Sequence, residues 1–114
     1  MNRARVLCVC ALALAAAHEA AAAERVIALS ARKFSYSLPV ITLERGEPVI
    51  VELTAVDRIH GFNAPDLKLR ADAIPGVVQR IRLVPDKTGT FVYFCDVFCG
   101  DGHEEMSGSI IVEE

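Results

Sequence analysis

The sequence predicts an all-β domain built as a small antiparallel sandwich. The clearest signal is the segment 49–55, in which every second residue from Val49 to Ala55 is apolar, as in a strand with one buried face. Several other short segments rich in β-formers follow at regular spacing and are separated by turn signals. Beyond the N-terminal region, no segment has a convincing helical period. Short strands at this spacing are typical of sandwiches.

The other elements are justified by alternation, composition and turn residues. Ile81 and Leu83 alternate with arginines, and the segment 90–94 is rich in aromatic and β-branched residues. Glycine-containing turns at 44–47 and 85–89 precede two of the strands. The predicted strands are, in chain order, 25–29, 40–43, 49–55, 80–83, 90–94 and 109–112.

The first 23 residues predict a signal peptide. Two arginines near the start precede an apolar stretch at 6–17, and a small-x-small pattern ends at Ala23. We therefore expect cleavage after Ala23 and a mature domain of residues 24–114. The apolar stretch is short for a bilayer span, so a retained membrane anchor is the less favoured alternative.

Charge and cysteine content narrow the function classes. Residues 24–114 contain ten Lys and Arg against fourteen Asp and Glu, a net charge of −4, and they have no basic run. Nucleic-acid binding is therefore not expected. Cys8 and Cys10 belong to the leader, which leaves two cysteines in a chain predicted to be exported. In an oxidising compartment such a pair can form a disulfide or bind a metal.

One twelve-residue run concentrates the soft ligands of the mature chain. Cys95, Cys99, His103 and Met106 all lie in it, and His60 is the other histidine after the leader. Thiolate, imidazole and thioether groups are ligands that copper prefers. The run follows one predicted strand and precedes the last, so we expect a loop that bridges two neighbouring strands. His60 is expected in a second loop at the same pole of the sandwich.

Two kinds of copper site remain open on these residues. A mononuclear blue-copper site needs one Cys, two His and an axial Met, which Cys99, His60, His103 and Met106 would supply. Cys95 would then be a spare thiol beside a redox metal. Alternatively, both thiolates bridge two copper ions, each copper takes one His, and the weak positions fall to Met106 and a backbone carbonyl. A simple disulfide between the cysteines is a further alternative.

The run is similar to a known pattern. Cys-x3-Cys-Gly-x2-His-x2-Met, with a His about 35 residues earlier, resembles the binuclear copper A (CuA) site of cytochrome c oxidase subunit II and nitrous oxide reductase. The resemblance covers roughly 59–112 and includes His60-Gly-Phe and Ala73-Ile-Pro-Gly76. It implies a cupredoxin-like fold, which is a Greek-key β-sandwich.

The resemblance also implies a role for each site residue. Cys95 and Cys99 would bridge two copper ions, and His60 and His103 would be terminal ligands. Met106 and the backbone carbonyl of Val97 would be the weak ligands. The family usually has Glu at the position of Val97, and in the oxidases that carboxylate reaches a magnesium ion at the border with the catalytic subunit. Val97 therefore argues against assembly in a standard oxidase.

The resulting functional prediction is a one-electron carrier rather than an enzyme. We expect an exported, periplasmic protein that is soluble after cleavage, with membrane attachment only if the leader is retained. Its expected partner is a redox protein such as a c-type cytochrome. Two alternatives stay open: a copper-handling protein that delivers copper to an acceptor protein or stores it, and an oxidase subunit II-like component with a retained anchor.

Side chains near the run have simpler expected roles. The aromatic residues Phe62, Phe91 and Phe94 are expected to be in the core. Four acidic residues of the run are expected to be solvated loop charges. They are Asp96, Asp101, Glu104 and Glu105.

Overall fold

The computed structural model describes residues 24–114, and the predicted signal peptide lies outside them. In this part of the chain, nine strands form two sheets, with two single 3-10 turns at Pro65–Leu67 and His103–Glu105. The strands are β1 (Arg25–Arg32), β2 (Ser35–Tyr36), β3 (Val40–Glu44), β4 (Val49–Ala55), β5 (His60–Ala64), β6 (Leu69–Ala73), β7 (Gln79–Leu83), β8 (Gly89–Phe94) and β9 (Ser107–Glu113). Within residues 24–114, no helix is long and apolar enough to cross a bilayer.

The two sheets confirm the predicted sandwich but not its purely antiparallel pairing. The first sheet has the order β2-β1-β4-β7 and the second the order β3-β9-β8-β5-β6. Two pairs are parallel, β1 with β4 and β3 with β9. The chain leaves the first sheet after β2, forms β3 in the second sheet and returns as β4, and this crossover lets β4 run in the direction of β1.

Strand β4 has the predicted bounds, and the other predicted strands are each present with extended ends. Three further strands were not predicted: the two-residue β2 of the first sheet, and β5 and β6 of the second sheet. Strand β5 is almost fully buried along its length, so it lacks the alternation that marks a half-buried strand. The expectation that His60 lies in a loop is wrong, because His60 is the first residue of β5.

The core lies between the sheets and includes an aromatic cluster. Alternate residues of β4 point inward, so Val49 and Leu53 are fully buried. Tyr36, Phe62 and Tyr93 pack together, with 4.8 Å between the ring centroids of the two tyrosines and 5.1 Å between those of Phe62 and Tyr93. The core prediction is confirmed for Phe62, whereas Phe91 and Phe94 are half-buried.

The connection between β8 and β9 leaves the sheet at the end where β5 begins. Phe94 pairs with Ser107 as the last rung of the β8–β9 ladder, so residues 95–106 form the predicted bridging loop. On the other side of β8, a single bridge joins Asn63 of β5 to Phe94. Both segments that carry the predicted ligands therefore meet at one end of the second sheet.

Candidate metal centre

Three of the predicted ligands form one tight, buried cluster. The ligand atoms of His60, Cys95 and Cys99 all lie within 4.8 Å of one another, and each of the three residues is at most 3% exposed. No disulfide joins the two cysteines, since their Sγ atoms are 3.7 Å apart and a disulfide bond is about 2.05 Å long. Two buried thiols and a buried imidazole in close proximity are a donor set suited to copper.

The loop 95–106 is closed by its own backbone. The amide of Cys95 donates to the carbonyl oxygen of Met106 at 3.1 Å, so the two ends of the run are held together. Gly100 and Gly102 have φ angles of 133° and 108°, a region that favours glycine, and they reverse the chain before the 3-10 turn at His103–Glu105.

The remaining predicted ligands line the same pocket of the loop. The Cys99 Sγ lies 3.6 Å from His103 Nδ1 and 3.9 Å from Met106 Sδ. The thiol of Cys95 donates to the carbonyl oxygen of Val97 at 3.1 Å. All six predicted residues thus have a donor atom next to one of the two cysteine sulfurs or belong to the buried cluster. Their assignment as copper ligands stays a prediction.

His60 is oriented by a carboxylate that sequence reasoning missed. Its Nε2 lies 2.7 Å from Asp57 Oδ1, while its Nδ1 is buried without a hydrogen-bond partner. With the proton on Nε2 and donated to Asp57, Nδ1 keeps a lone pair that no hydrogen bond uses. Histidines that bind metals are commonly held by a carboxylate in this way. The orphaned nitrogen fits a site that a metal completes.

Asp57 is held in its ionised form by its neighbours. The backbone amide of Lys33, then the imidazole of His60 and the amide of Arg58, donate to its carboxylate and keep the pKa of Asp57 far below its usual value. The Asp57-Arg-Ile-His60 spacing was the only sequence signal of this contact. An ionised carboxylate beside the buried imidazole offsets part of the positive charge that a metal would bring.

The Cys99 thiol is in an environment that disfavours the free thiolate. Burial raises the pKa of Cys99 to about 11, and the hydrogen bond and charge of Cys95 contribute to the increase. Without a cation, the Cys99 thiol is therefore protonated at neutral pH. A metal ion would reverse this preference, because a coordinating thiol is deprotonated.

One edge of the cluster faces the surface. His103 is half-buried, and its ring packs against Phe98 with 5.7 Å between centroids, while Phe98 itself is 69% exposed. Phe34, from the β1–β2 connection, lies over Gly100 and Gly102. The cluster is therefore closed on the His60 side and reachable on the His103 side.

The four acidic residues of the loop do not share one environment. Asp101, Glu104 and Glu105 are exposed, as expected. Asp96 is exposed as a residue too, but Arg70 and Asn63 bind its carboxylate, so its side chain is only 23% exposed. Hydrogen bonding to Arg70 lowers the pKa of Asp96.

The sequence is similar to those of cytochrome c oxidase subunit II and nitrous-oxide reductase. Residues 23–114 match the family model described as cytochrome c oxidase subunit II, periplasmic domain. Over 81 residues the chain is 31% identical to cytochrome c oxidase subunit 2 of Thermus thermophilus, covering 71% of this chain and 60% of that protein. It is 32% identical over 91 residues to nitrous-oxide reductase of Ralstonia nicotianae, covering 76% of this chain and 14% of that protein. The chain thus spans less than two thirds of either relative.

A solved structure has the same architecture. The periplasmic domain of subunit II of cytochrome oxidase of Bradyrhizobium japonicum superposes with a TM-score of 0.74 at 22% identity, covering 82% of this chain and 87% of that one. The prediction of a cupredoxin-like β-sandwich is confirmed by this likeness.

Proposed function

Because this chain belongs to the family of cytochrome c oxidase subunit II periplasmic domains, we propose that it is an exported protein that carries electrons through a binuclear copper centre of the CuA type. One observation carries the proposal. His60, Cys95 and Cys99 present buried donor atoms within 4.8 Å of one another, and the Nδ1 atom of His60 has no other partner. Two sulfurs side by side suit a pair of copper ions better than a single one.

The residues that would hold copper are those of the cluster and the loop. In this proposal Cys95 and Cys99 would supply the thiolates that the two copper ions share, His60 and His103 would each supply an imidazole, and Met106 and the Val97 carbonyl would be the weak ligands. When bound, the copper pair supplies a one-electron couple whose charge change is shared between two ions and two sulfurs.

The protein holds the proposed copper ligands rigidly and excludes water from them. The β8–β9 ladder and the hydrogen bond from Cys95 to Met106 fix both ends of the loop. Asp57 orients the imidazole of His60, and burial of the thiols excludes water. Ligands that are held in this way need little rearrangement when the charge of the site changes, which suits rapid electron transfer.

The exposed edge of the cluster, at His103 and Phe98, is where a protein partner would bind. We expect a redox protein such as a c-type cytochrome to approach His103 and Phe98, where the cluster is reachable. Val97 offers no carboxylate there, which favours a carrier outside the standard oxidase assembly. With the leader removed, the domain would work in the periplasm or an equivalent exported compartment, as the family description implies.

Copper analysis and redox titration test the proposal together. The full chain is expressed with export, purified and loaded with copper. We expect a mature protein that begins near Glu24, binds two copper ions and takes up one electron for each pair. One copper per chain would overturn the binuclear proposal. Rapid loss of copper to an acceptor, without a reversible one-electron couple, would favour copper handling instead.

A further inference from the structure

The backbone pairing between β5 and β8 stops short of the metal cluster. One bridge, from Asn63 to Phe94, joins the two strands. Beyond it, His60 and Gly61 on β5 face Cys95 and Asp96 without further rungs of the ladder. The strand that carries His60 and the loop that carries the cysteines therefore need another connection, since a separation of the two would spread the donor atoms apart.

Side chains supply that connection around Asp96. The guanidinium of Arg70, on β6, donates to both carboxylate oxygens of Asp96, at 2.9 Å from Nε and 2.7 Å from Nη2. The amide of Asn63 donates to the same carboxylate at 3.1 Å. A bidentate arginine–carboxylate pair with a third donor fixes direction as well as distance. Asp96 directly follows Cys95 in the loop, whereas Asn63 and Arg70 belong to the β5–β6 hairpin.

Gly61 leaves the space in which Asp96 sits. A Cβ atom at position 61 would overlap the Asp96 carboxylate and approach its backbone nitrogen to 2.9 Å. The φ angle of Gly61 is not in the left-handed region, so this glycine is needed for space rather than for backbone conformation. With the carboxylate in place, the Gly61 amide donates to Cys95 Sγ at 3.3 Å. The hairpin thereby contacts the predicted bridging sulfur itself.

We infer that the Arg70–Asp96 pair is a positioning device that fastens the cysteine loop to the hairpin carrying His60 and so keeps the Gly61 amide on the Cys95 sulfur. This inference rests on the proposed function for its consequence in the copper-loaded protein. Arg70 and Asp96 are positioning residues, because they act on the site through Gly61, Cys95 and the loop backbone.

The inference is tested in full-chain variants Arg70→Gln and Asp96→Asn. Two rates are measured: hydrogen exchange at the Gly61 amide and transfer of copper to a chelator. In the copper-free protein, residue-resolved hydrogen exchange of the Gly61 amide should accelerate, because its acceptor is no longer held in place. In the copper-loaded protein, transfer of copper to a chelator should become about 10-fold faster, the lower end of what loss of an outer-shell partner costs. The double variant should be no worse than either single one, since the pair acts as a unit.

Two matched controls separate positioning from general ion-pair loss. Asp72→Asn removes the other carboxylate bound by Arg70, at 2.5 Å, without touching the loop. Arg82→Gln removes another arginine–carboxylate pair, in which Nε and Nη2 of Arg82 both donate to Oε1 of Glu24, and Arg82 lies on the first sheet rather than on the sheet that carries the site. Both controls should leave the two rates unchanged. Arg70→Lys should lie between the wild type and Arg70→Gln, because lysine keeps the charge but not the fork.

The results distinguish this inference from the proposed function. The inference is supported if Gly61 exchange and copper transfer are both faster in Arg70→Gln and Asp96→Asn while both controls keep the wild-type rates. Unchanged rates, or an equal effect of Asp72→Asn, overturn it. If the wild type binds no copper, the proposed function fails, while Gly61 exchange in the copper-free variants still decides whether the pair fastens the loop.

Discussion

The two histidines that are predicted to bind copper lie in opposite surroundings. His60 begins a buried strand, is fully buried and is tied to Asp57, whereas His103 lies in a short 3-10 turn, is half-buried and packs against the exposed Phe98. The difference divides the site into a fixed inner side and a reachable outer side. A carrier needs both, because the inner side holds the ligands still and the outer side gives a partner access.

The largest effect is expected from the two cysteines, because their sulfurs lie between the inner side of the site and its outer side. Cys95→Ser or Cys99→Ser should each abolish the two-copper centre, because a hydroxyl is a poor substitute for a bridging thiolate. Copper content per chain and the visible absorption spectrum measure this. Both serine variants must fold as the wild type does in far-ultraviolet circular dichroism. A serine variant that keeps two coppers and an unchanged spectrum would contradict the bridging roles.

Removal of each imidazole probes the comparison directly. His60→Gly and His103→Gly should both impair the centre, but added imidazole should restore the spectrum only in His103→Gly, because only that side is reachable from solvent. The measurement is a titration of each copper-loaded variant with free imidazole. Restoration in His60→Gly, or in neither variant, would show that the closed and open sides have been misassigned.

A smaller effect is expected from the carboxylate behind His60. Asp57→Asn weakens the charge-assisted contact to Nε2 and should lower copper affinity by about 10-fold, as is common for outer-shell partners of metal-binding histidines. Competition with a chelator of known affinity measures it. Asp101→Asn, an exposed carboxylate close to His103 in the chain, is the control and should change nothing. An equal loss in both variants would argue for a general charge effect.

The smallest effect is expected at Met106, the predicted weak ligand. Met106 is 1% exposed, so Met106→Leu fills nearly the same buried volume and should cost less than about 1.5 kcal/mol of stability. Both coppers should stay bound while the reduction potential shifts, because the thioether is a weak ligand. Voltammetry and copper analysis check this. Loss of both metals would show that Met106 has been ranked too low.

Much of the fold was predictable because alternation reports directly on a half-buried strand. The segment Val49–Ala55 shows this signal in pure form and has the predicted bounds. Strand β5 was not predicted because burial on both faces removes the alternation of apolar and polar residues. In addition, its Gly61 and Asn63 are poor β-formers. The parallel pairing of β1 with β4 and of β3 with β9 was not predicted for a different reason. Alternation shows which face of a strand is buried, but it does not show which strand lies beside it.

The candidate site was predictable as a set of residues but not as a network. Cys95, Cys99, His103 and Met106 stand together in the sequence, so their chemistry and spacing could be recognised. The supporting contacts join residues that are far apart in the chain, such as Arg70 and Asp96, which are 26 positions apart. Charge and composition alone give no reason to pair these two rather than other exposed residues.

Electron spin resonance of the oxidised, copper-loaded protein tests the binuclear assignment most directly. We expect a hyperfine pattern from one unpaired electron shared equally by two copper nuclei, in a protein that is purple. A pattern from a single copper nucleus, in a protein loaded to its full capacity, would rule out the binuclear centre and favour a mononuclear site in which one cysteine does not bind copper.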